Sequence, residues 1–215
     1  MAQIMAAGAI ITAAGKSSRM GSFKPLLKIG GVSAAERVVS NFRAAGIENI
    51  VLVTGNNAEE LESNLKHLDV VFLRNDLYEH TEMFDSIKIG FDYLKGKCSK
   101  IFLTPVDIPL FTADTVKILL NCRGRVGIPV FNKKKGHPIV LDNKAVGDIL
   151  KYAGSGGLNG AITNLSLEIE HMEVSDSGIL YDMDTQADYA EIVRFHAERL
   201  IMPQINSATG EVKKT

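Results

Sequence analysis

Short apolar runs alternate along this chain with longer stretches that are apolar on one side only. Ala9–Ile10–Ile11 is an apolar run that reads as a buried strand. Val32 to Ala45 places Ala35, Val38, Val39 and Phe42 at helical spacing and stops at Gly46. Ile50 to Val53 is a second buried strand, followed by the turn Thr54–Gly55–Asn56–Asn57 and a polar-faced helix from Ala58 to Leu65. Val70 to Leu73 is a third strand, and Met83 to Leu94 is a helix with Ile87, Phe91 and Leu94 on one side. Strand, helix, strand, helix, strand is the rhythm of a mostly parallel sheet with helices on both faces. The predicted fold class is therefore α/β: one three-layer α/β/α domain with a Rossmann-like sheet.

The second half continues less regularly. Ile101–Phe102–Leu103 is a strand, and Thr112 caps a helix over Ala113 to Asn121. Val126 to Phe131 contains Pro129, which predicts an edge or short strand. Asn132 to Gly136 is a lysine-rich turn in solvent, and Gly136–His137–Pro138 leads into the apolar Ile139–Val140–Leu141. A short helix follows over Ala145 to Tyr152, then a small, mobile stretch from Gly154 to Asn159. Leu167 to Ile169 alternates as a strand with Glu168 and Glu170 outward. A last helix runs from Gln186 to about Leu200, capped by Thr185 with Asp188 in its first turn; His196 and Glu198 read as its surface residues. Residues 1–202 form the predicted domain, and 203–215 a polar tail.

Length and composition narrow the function. At 215 residues and 46 % hydrophobic, the chain suits one full core and little more. A formal net charge of −1 offers no basic surplus for nucleic acid, so an anionic ligand must be met by a few placed cations. Cys98 and Cys122 follow no metal or redox spacing and read as buried small side chains. No apolar run approaches the ~20 residues of a membrane span, and the first residues lack the charged region of a signal peptide. The expectation is a cytoplasmic protein with no membrane partner.

The chemistry concentrates after the first strand. Ala13–Ala14–Gly15 lets the backbone approach a ligand closely, and Ser17, Ser18, Arg19, Gly21 and Lys24 add hydroxyls, cations and a second glycine. Free N–H groups beside two cations make a receptor for a polyphosphate. A Walker A loop would need glycine at residue 10, which is Ile10, and the dinucleotide fingerprint fails at Ser17. The second element is Pro105–Val106–Asp107–Ile108–Pro109, a carboxylate braced between prolines after a strand. Thr112 already caps the next helix, so Asp107 is free for another role, and Mg2+ takes one or two carboxylates together with phosphate oxygens. Asp182 and Asp184, at i and i+2 on an extended segment, point to one side.

Ala13–Ala14–Gly15, Ser17, Arg19–Met20–Gly21 and Lys24, in this spacing, resemble the nucleotide-binding signature of the MobA/MocA-like nucleotidyltransferases. Asp107 matches that family's P-x-D-x-P, Asn75 with Met83, Ser86 and Gly90 its next pocket segment, Gly136–His137–Pro138 its acceptor half, and the 182–188 segment its D-x-D-T-x-x-D. Two positions depart from the family: Glu82 stands where glycine is usual, and Ile108 replaces glutamine in the usual D-Q-P. The resemblance implies a sheet of the nucleotide-diphospho-sugar transferase type. It assigns the nucleotide to Ala13, Ala14, Gly15, Ser17, Ser18, Arg19, Gly21, Lys24, Asn75 and Ser86. Arg19, Lys24 and Asp107 take catalytic roles, Asp107 and Asp184 hold Mg2+ with Asp182 as substitute, and His137, Pro138 and Gly157 face the acceptor. The implied reaction moves a nucleoside monophosphate from a triphosphate to a phosphorylated acceptor. Ala13–Ala14–Gly15 with G-H-P favours the cytidylyl branch, using CTP and a molybdopterin acceptor, with a molybdenum enzyme receiving the product. A sugar- or alcohol-phosphate acceptor and a nucleotide-binding module without turnover are the alternatives.

Overall fold

The computed structural model describes residues 6–15 and 20–208, with side chains as far as residue 201. The strands are β1 (Ala7–Ala13), β2 (Lys28–Ile29), β3 (Val32–Ser33), β4 (Asn49–Thr54), β5 (Val71–Arg74), β6 (Lys100–Pro105), β7 (Val126–Phe131), β8 (Lys134–Lys135), β9 (Ile139–Asp142) and β10 (Ile169–Glu173). The helices are α1 (Ala34–Ala44), α2 (Ala58–Leu65), α3 (Met83–Leu94), α4 (Ala113–Leu119), α5 (Asn143–Leu150), α6 (Gly157–Asn164) and α7 (Gln186–Ala208).

One mixed sheet runs β10-β7-β9-β6-β1-β4-β5, with β8 hooked onto β7. β1 pairs in parallel with both β4 and β6, and β9 is the strand that runs against its neighbours β6 and β7. Alternation along β1 sorts its side chains into two cores. Ala9, Ile11 and Ala13 join Phe42 of α1, Leu61 of α2 and Val116 of α4 on one face. Ile10 joins Phe91 of α3, Val146 of α5 and Ile162 of α6 on the other. The three-layer expectation is thereby met. Gly90 matters for the second layer: a Cβ there would lie 2.7 Å from Ile10 Cγ2, so its absence lets α3 rest directly on the central strand.

Several sequence expectations are corrected. Val32 and Ser33 pair with Ile29 and Lys28 as a small hairpin, and α1 starts only at Ala34 because Ser33 is its N-cap. β7 is interior, between β10 and β9. Pro129 is tolerated there because β9 pairs only with Val126 and Gly127, and beyond them the Pro129 carbonyl accepts from the Gly136 N–H. The glycine-rich stretch expected to be mobile leads into α6, with Gly156 (φ 87°) and Gly157 (φ 59°) making the entry. β10 begins at Ile169, where the expected strand ended. α7 runs on to Ala208, past Leu200. His196 is half-buried against the hairpin instead of lying free on the surface.

The α1 cap is reciprocal. The Glu36 N–H donates to Ser33 Oγ at 3.2 Å, and the Ser33 N–H donates to Glu36 Oε2 at 2.6 Å. These hydrogen bonds with Ser33 hold the Glu36 pKa at about 2, below the ordinary 4.5. A depressed carboxylate stabilises the fold above its unfolded pKa and loses that contribution as pH falls through the folded one. We expect Ser33→Ala to cost about 1 kcal/mol. Glu36→Gln should lie below wild type at neutral pH, with the gap closing between pH 4.5 and about 2 in urea midpoints taken across that window.

Candidate functional site

Two backbone hydrogen bonds assemble the site. Thr12 of β1 sits opposite Pro105 of β6, and the Val106 N–H donates to the Thr12 carbonyl at 3.0 Å. Ala14–Gly15 and Val106–Asp107 therefore leave the sheet side by side, at the carboxyl ends of neighbouring strands, where α/β sheets gather ligands. The Met183 N–H then donates to the Asp107 carbonyl at 3.0 Å, laying the 182–184 segment along Asp107. Met183 is fully buried, so its neighbours Asp182 and Asp184 project together on the opposite side.

The result is a corner of three carboxylates, Asp107, Asp182 and Asp184, whose ligand atoms lie within 4.8 Å of one another; it is the one such group among the described residues. Lys24 Nζ reaches into it, donating to Asp184 Oδ1 at 2.7 Å and Asp107 Oδ2 at 3.3 Å. Burial works to lower the Lys24 pKa, but the hydrogen bonds and charges of Asp184 and Asp107 outweigh it and the ammonium is held above its usual value. Asp182 is pushed up to about 6, first by the surrounding protein and then by the charges of Asp107 and Asp184. Because that residue stays exposed, the charge contribution is the more telling one, and a bound cation would reverse it. Oxygen-only donors with a surplus of negative charge fit a hard divalent cation.

This corner opens into a cleft of about 290 Å3. Its floor is Thr12, Ala13, Ala14 and Gly15, one wall is Lys24 and Pro25, and the far side is Pro105 to Asp107 with Asp184. The opposite wall is Tyr78, Thr81, Glu82, Met83 and Ser86. Asn75 shapes that wall from beneath: buried, it donates through Nδ2 to Thr81 Oγ1 and Ser86 Oγ, both at 2.9 Å, and accepts from the Leu77 N–H. It borders an adjoining depression with Gly55, Asn57 and Arg74. Glu82 is the exposed N-cap of α3, its N–H donating to Asp85 Oδ2 at 2.9 Å.

Of the residues singled out in the sequence, Ala13, Ala14, Gly15, Lys24, Ser86, Asp107 and Asp184 meet at one cleft. Asp182 belongs to the same carboxylate corner. Gly21 takes a positive φ of 61° just before the Lys24 turn. Ser17, Ser18 and Arg19 lie outside the described residues. His137 is half-buried with Nδ1 3.5 Å from the Leu103 carbonyl; burial lowers its pKa while the nearby Asp107 charge opposes the shift. Pro138 is buried beside it, and Gly157 opens α6 next to Phe84 of α3. Tyr78 and Thr81 were not singled out in the sequence. Their signal was an aromatic and a hydroxyl in the polar stretch directly after a buried strand.

The profile of the MobA-like NTP transferase domain matches residues 9–170. Molybdenum cofactor cytidylyltransferase of Escherichia coli K12 is 28 % identical over 185 residues, which cover 84 % of this chain and 92 % of that protein. Bifunctional protein GlmU of Clostridium novyi is 34 % identical over 134 residues, 60 % of this chain; the match spans only 29 % of GlmU. In fold, the chain is similar to a nucleotidyl transferase from Methanothermobacter thermautotrophicus, with TM-score 0.79, 24 % identity, and 90 % of this chain and 99 % of that one covered. It is also similar to a Mycobacterium tuberculosis H37Rv protein solved in complex with manganese, with TM-score 0.73, 18 % identity, and 89 % and 100 % covered. The fold is that of a nucleotidyltransferase. The chain belongs to the MobA-like NTP transferase family. No helix among the described residues is long and apolar enough to cross a membrane.

The carboxylate corner makes a measurable demand. Mn2+ titrated against the protein in the presence of a nucleoside triphosphate should bind at least about tenfold more weakly to Asp107→Asn or Asp184→Asn than to wild type, since each change removes a charged ligand. Equal affinities would take the cation away from this corner.

Proposed function

We propose that the chain transfers CMP from CTP to a phosphorylated acceptor, the molybdopterin cofactor, and releases pyrophosphate. The observation that carries the proposal is the opening of the Lys24–Asp107–Asp182–Asp184 corner into the cleft floored by Ala13–Ala14–Gly15. A triphosphate bound over that floor would lie in the same cleft as the Lys24, Asp107 and Asp184 side chains. An oxygen of the acceptor phosphate bonds to the α-phosphorus; the bond from that phosphorus to the oxygen bridging it to the β-phosphorus breaks, and pyrophosphate leaves with the electron pair. The acceptor phosphate is already ionised at neutral pH, so no general base is needed, and alignment with charge stabilisation does the catalysis.

Ala13, Ala14, Gly15, Ser17, Ser18 and Gly21 offer the triphosphate a close backbone and hydroxyls, with Arg19 and Lys24 as its cations. Lys24 also fixes the spacing of Asp107 and Asp184. Magnesium held by Asp107 and Asp184, with Asp182 beside them, would polarise phosphate oxygens and offset developing charge. Ser86 faces the nucleotide, and Asn75 keeps that wall in shape. His137, Pro138 and Gly157 border the acceptor. CTP and molybdopterin are favoured by Ala13–Ala14–Gly15, by the Gly136–His137–Pro138 segment and by the near full-length similarity to the E. coli protein. A cytoplasmic location and delivery of the product to a molybdenum enzyme complete this reading. Glu82 and Ile108, which depart from the family pattern, favour a second reading with the same chemistry and a sugar- or alcohol-phosphate acceptor.

Pyrophosphate release, measured with CTP, GTP, ATP and UTP against molybdopterin and sugar and alcohol phosphates in Mg2+, tests both. CTP with molybdopterin should be fastest, and chelation of the metal should stop it. Lys24→Ala and Asp107→Ala should each lower kcat on the order of 10²-fold while the protein stays folded. Release of no pyrophosphate from any pairing would leave only a nucleotide-binding module.

A further inference from the structure

We infer that residues 183–189 clamp the loop that carries Lys24, and that Gln186 and Tyr189 are positioning residues for the reaction; the inference rests on the transferase reading above. Gln186 Nε2 donates to the Met20 carbonyl at 2.9 Å, at the exit of the phosphate loop. Tyr189 Oη donates to the Lys28 carbonyl at 2.7 Å, beyond the Lys24 turn. Between them, Lys24 Nζ donates to Asp184. Three contacts from one short segment thus hold both ends and the middle of residues 20–28.

The underside of this loop is sealed by the same segment. Met20, Ile29, Ala34, Leu110, Met183 and Ile192 form a core of their own, separate from the two on the faces of the sheet, with Tyr189 packed on it. α7 delivers these groups from one face, because Tyr189, Ile192, His196 and Arg199 recur at three- and four-residue spacing. The helix is itself anchored. Arg199 donates to the Leu110 carbonyl at 2.9 Å and to the buried Asp176 at 3.3 Å, and His196 Nε2 lies 3.2 Å from Arg37 Nη2, which donates to the Ile29 carbonyl. A Cβ on Gly30 would lie 2.3 Å from His196 Nε2, so the hairpin tip presses on the helix. The groups on the clamping side, from Asp176 to Arg199, lie beyond residue 170, where the match to the family profile ends. The clamp reaches from outside the matched residues to a loop within them.

The test uses Gln186→Met, which keeps length and loses the donor, Gln186→Lys, which keeps a donor, Tyr189→Phe, and the Gln186→Met/Tyr189→Phe double variant. Arg194→Ala, an exposed change on the same helix, is the control. Hydrogen exchange of amides 20–29 is followed beside steady-state turnover. In the double variant those amides should exchange faster. Its kcat/KM for the nucleoside triphosphate should fall by about tenfold or more, with the acceptor KM and the melting temperature near wild type. Gln186→Met alone should show part of this loss and Gln186→Lys little of it, and Arg194→Ala should change neither readout. Unchanged exchange overturns the clamp, and faster exchange with unchanged kcat/KM overturns the positioning role. Should wild type itself prove inert with every triphosphate, the transferase reading fails separately, and exchange alone decides the clamp.

Discussion

Three carboxylates crowded into one corner cannot stand without positive charge. Two like charges ~4 Å apart repel by about 4 kcal/mol at an effective dielectric of about 20. Asp107, Asp182 and Asp184 face one ammonium, Lys24, among the described residues of the corner. The Asp182 pKa is raised to about 6, by burial first and by the charges of Asp107 and Asp184 after it. Three carboxylates gathered at the mouth of a cleft have the oxygen donors that a hard divalent cation prefers, and on the proposed function that cation arrives with a triphosphate.

The backbone makes that crowding possible. Parallel pairing of β1 with β6 delivers Gly15 and Asp107 together, and the Met183–Asp107 hydrogen bond brings in a segment some 75 residues further along the chain. Apolar packing holds the same strands from both sides, through Ile11 and Phe42 on one and Ile10 and Phe91 on the other. Stability and chemistry therefore share one scaffold: the residues that bury the sheet are the ones that set where its strand ends fall.

Much of this was legible before any coordinates. α2 and α3 begin and end at the predicted residues, because turn residues and apolar spacing agreed there. Ala13–Gly15, Lys24 and Asp107 were legible as chemistry, since small residues, cations and a proline-braced acid are rare in that order after strands. What escaped was set by contacts distant in sequence. Pro129 spoke for an edge or short strand, but a six-residue strand can be interior where its neighbour's pairing stops short. The Gly154–Asn159 stretch spoke for mobility, yet two of its glycines provide the positive φ that starts α6. Asn75 was legible as a polar group near the pocket, but not that its amide would be spent on Thr81 and Ser86. Gln186 and Tyr189 carried no local signal at all, because their partners lie about 160 residues earlier.

A crystal of the protein with Mn2+ and a non-hydrolysable CTP analogue, examined by anomalous scattering at the manganese edge, would locate the cation without reference to turnover. The strongest peak should sit among the carboxylates of Asp107, Asp182 and Asp184, with the nucleotide's phosphates between it and Gly15. A peak elsewhere, or phosphates lying away from the Gly15 turn, would contradict the arrangement described.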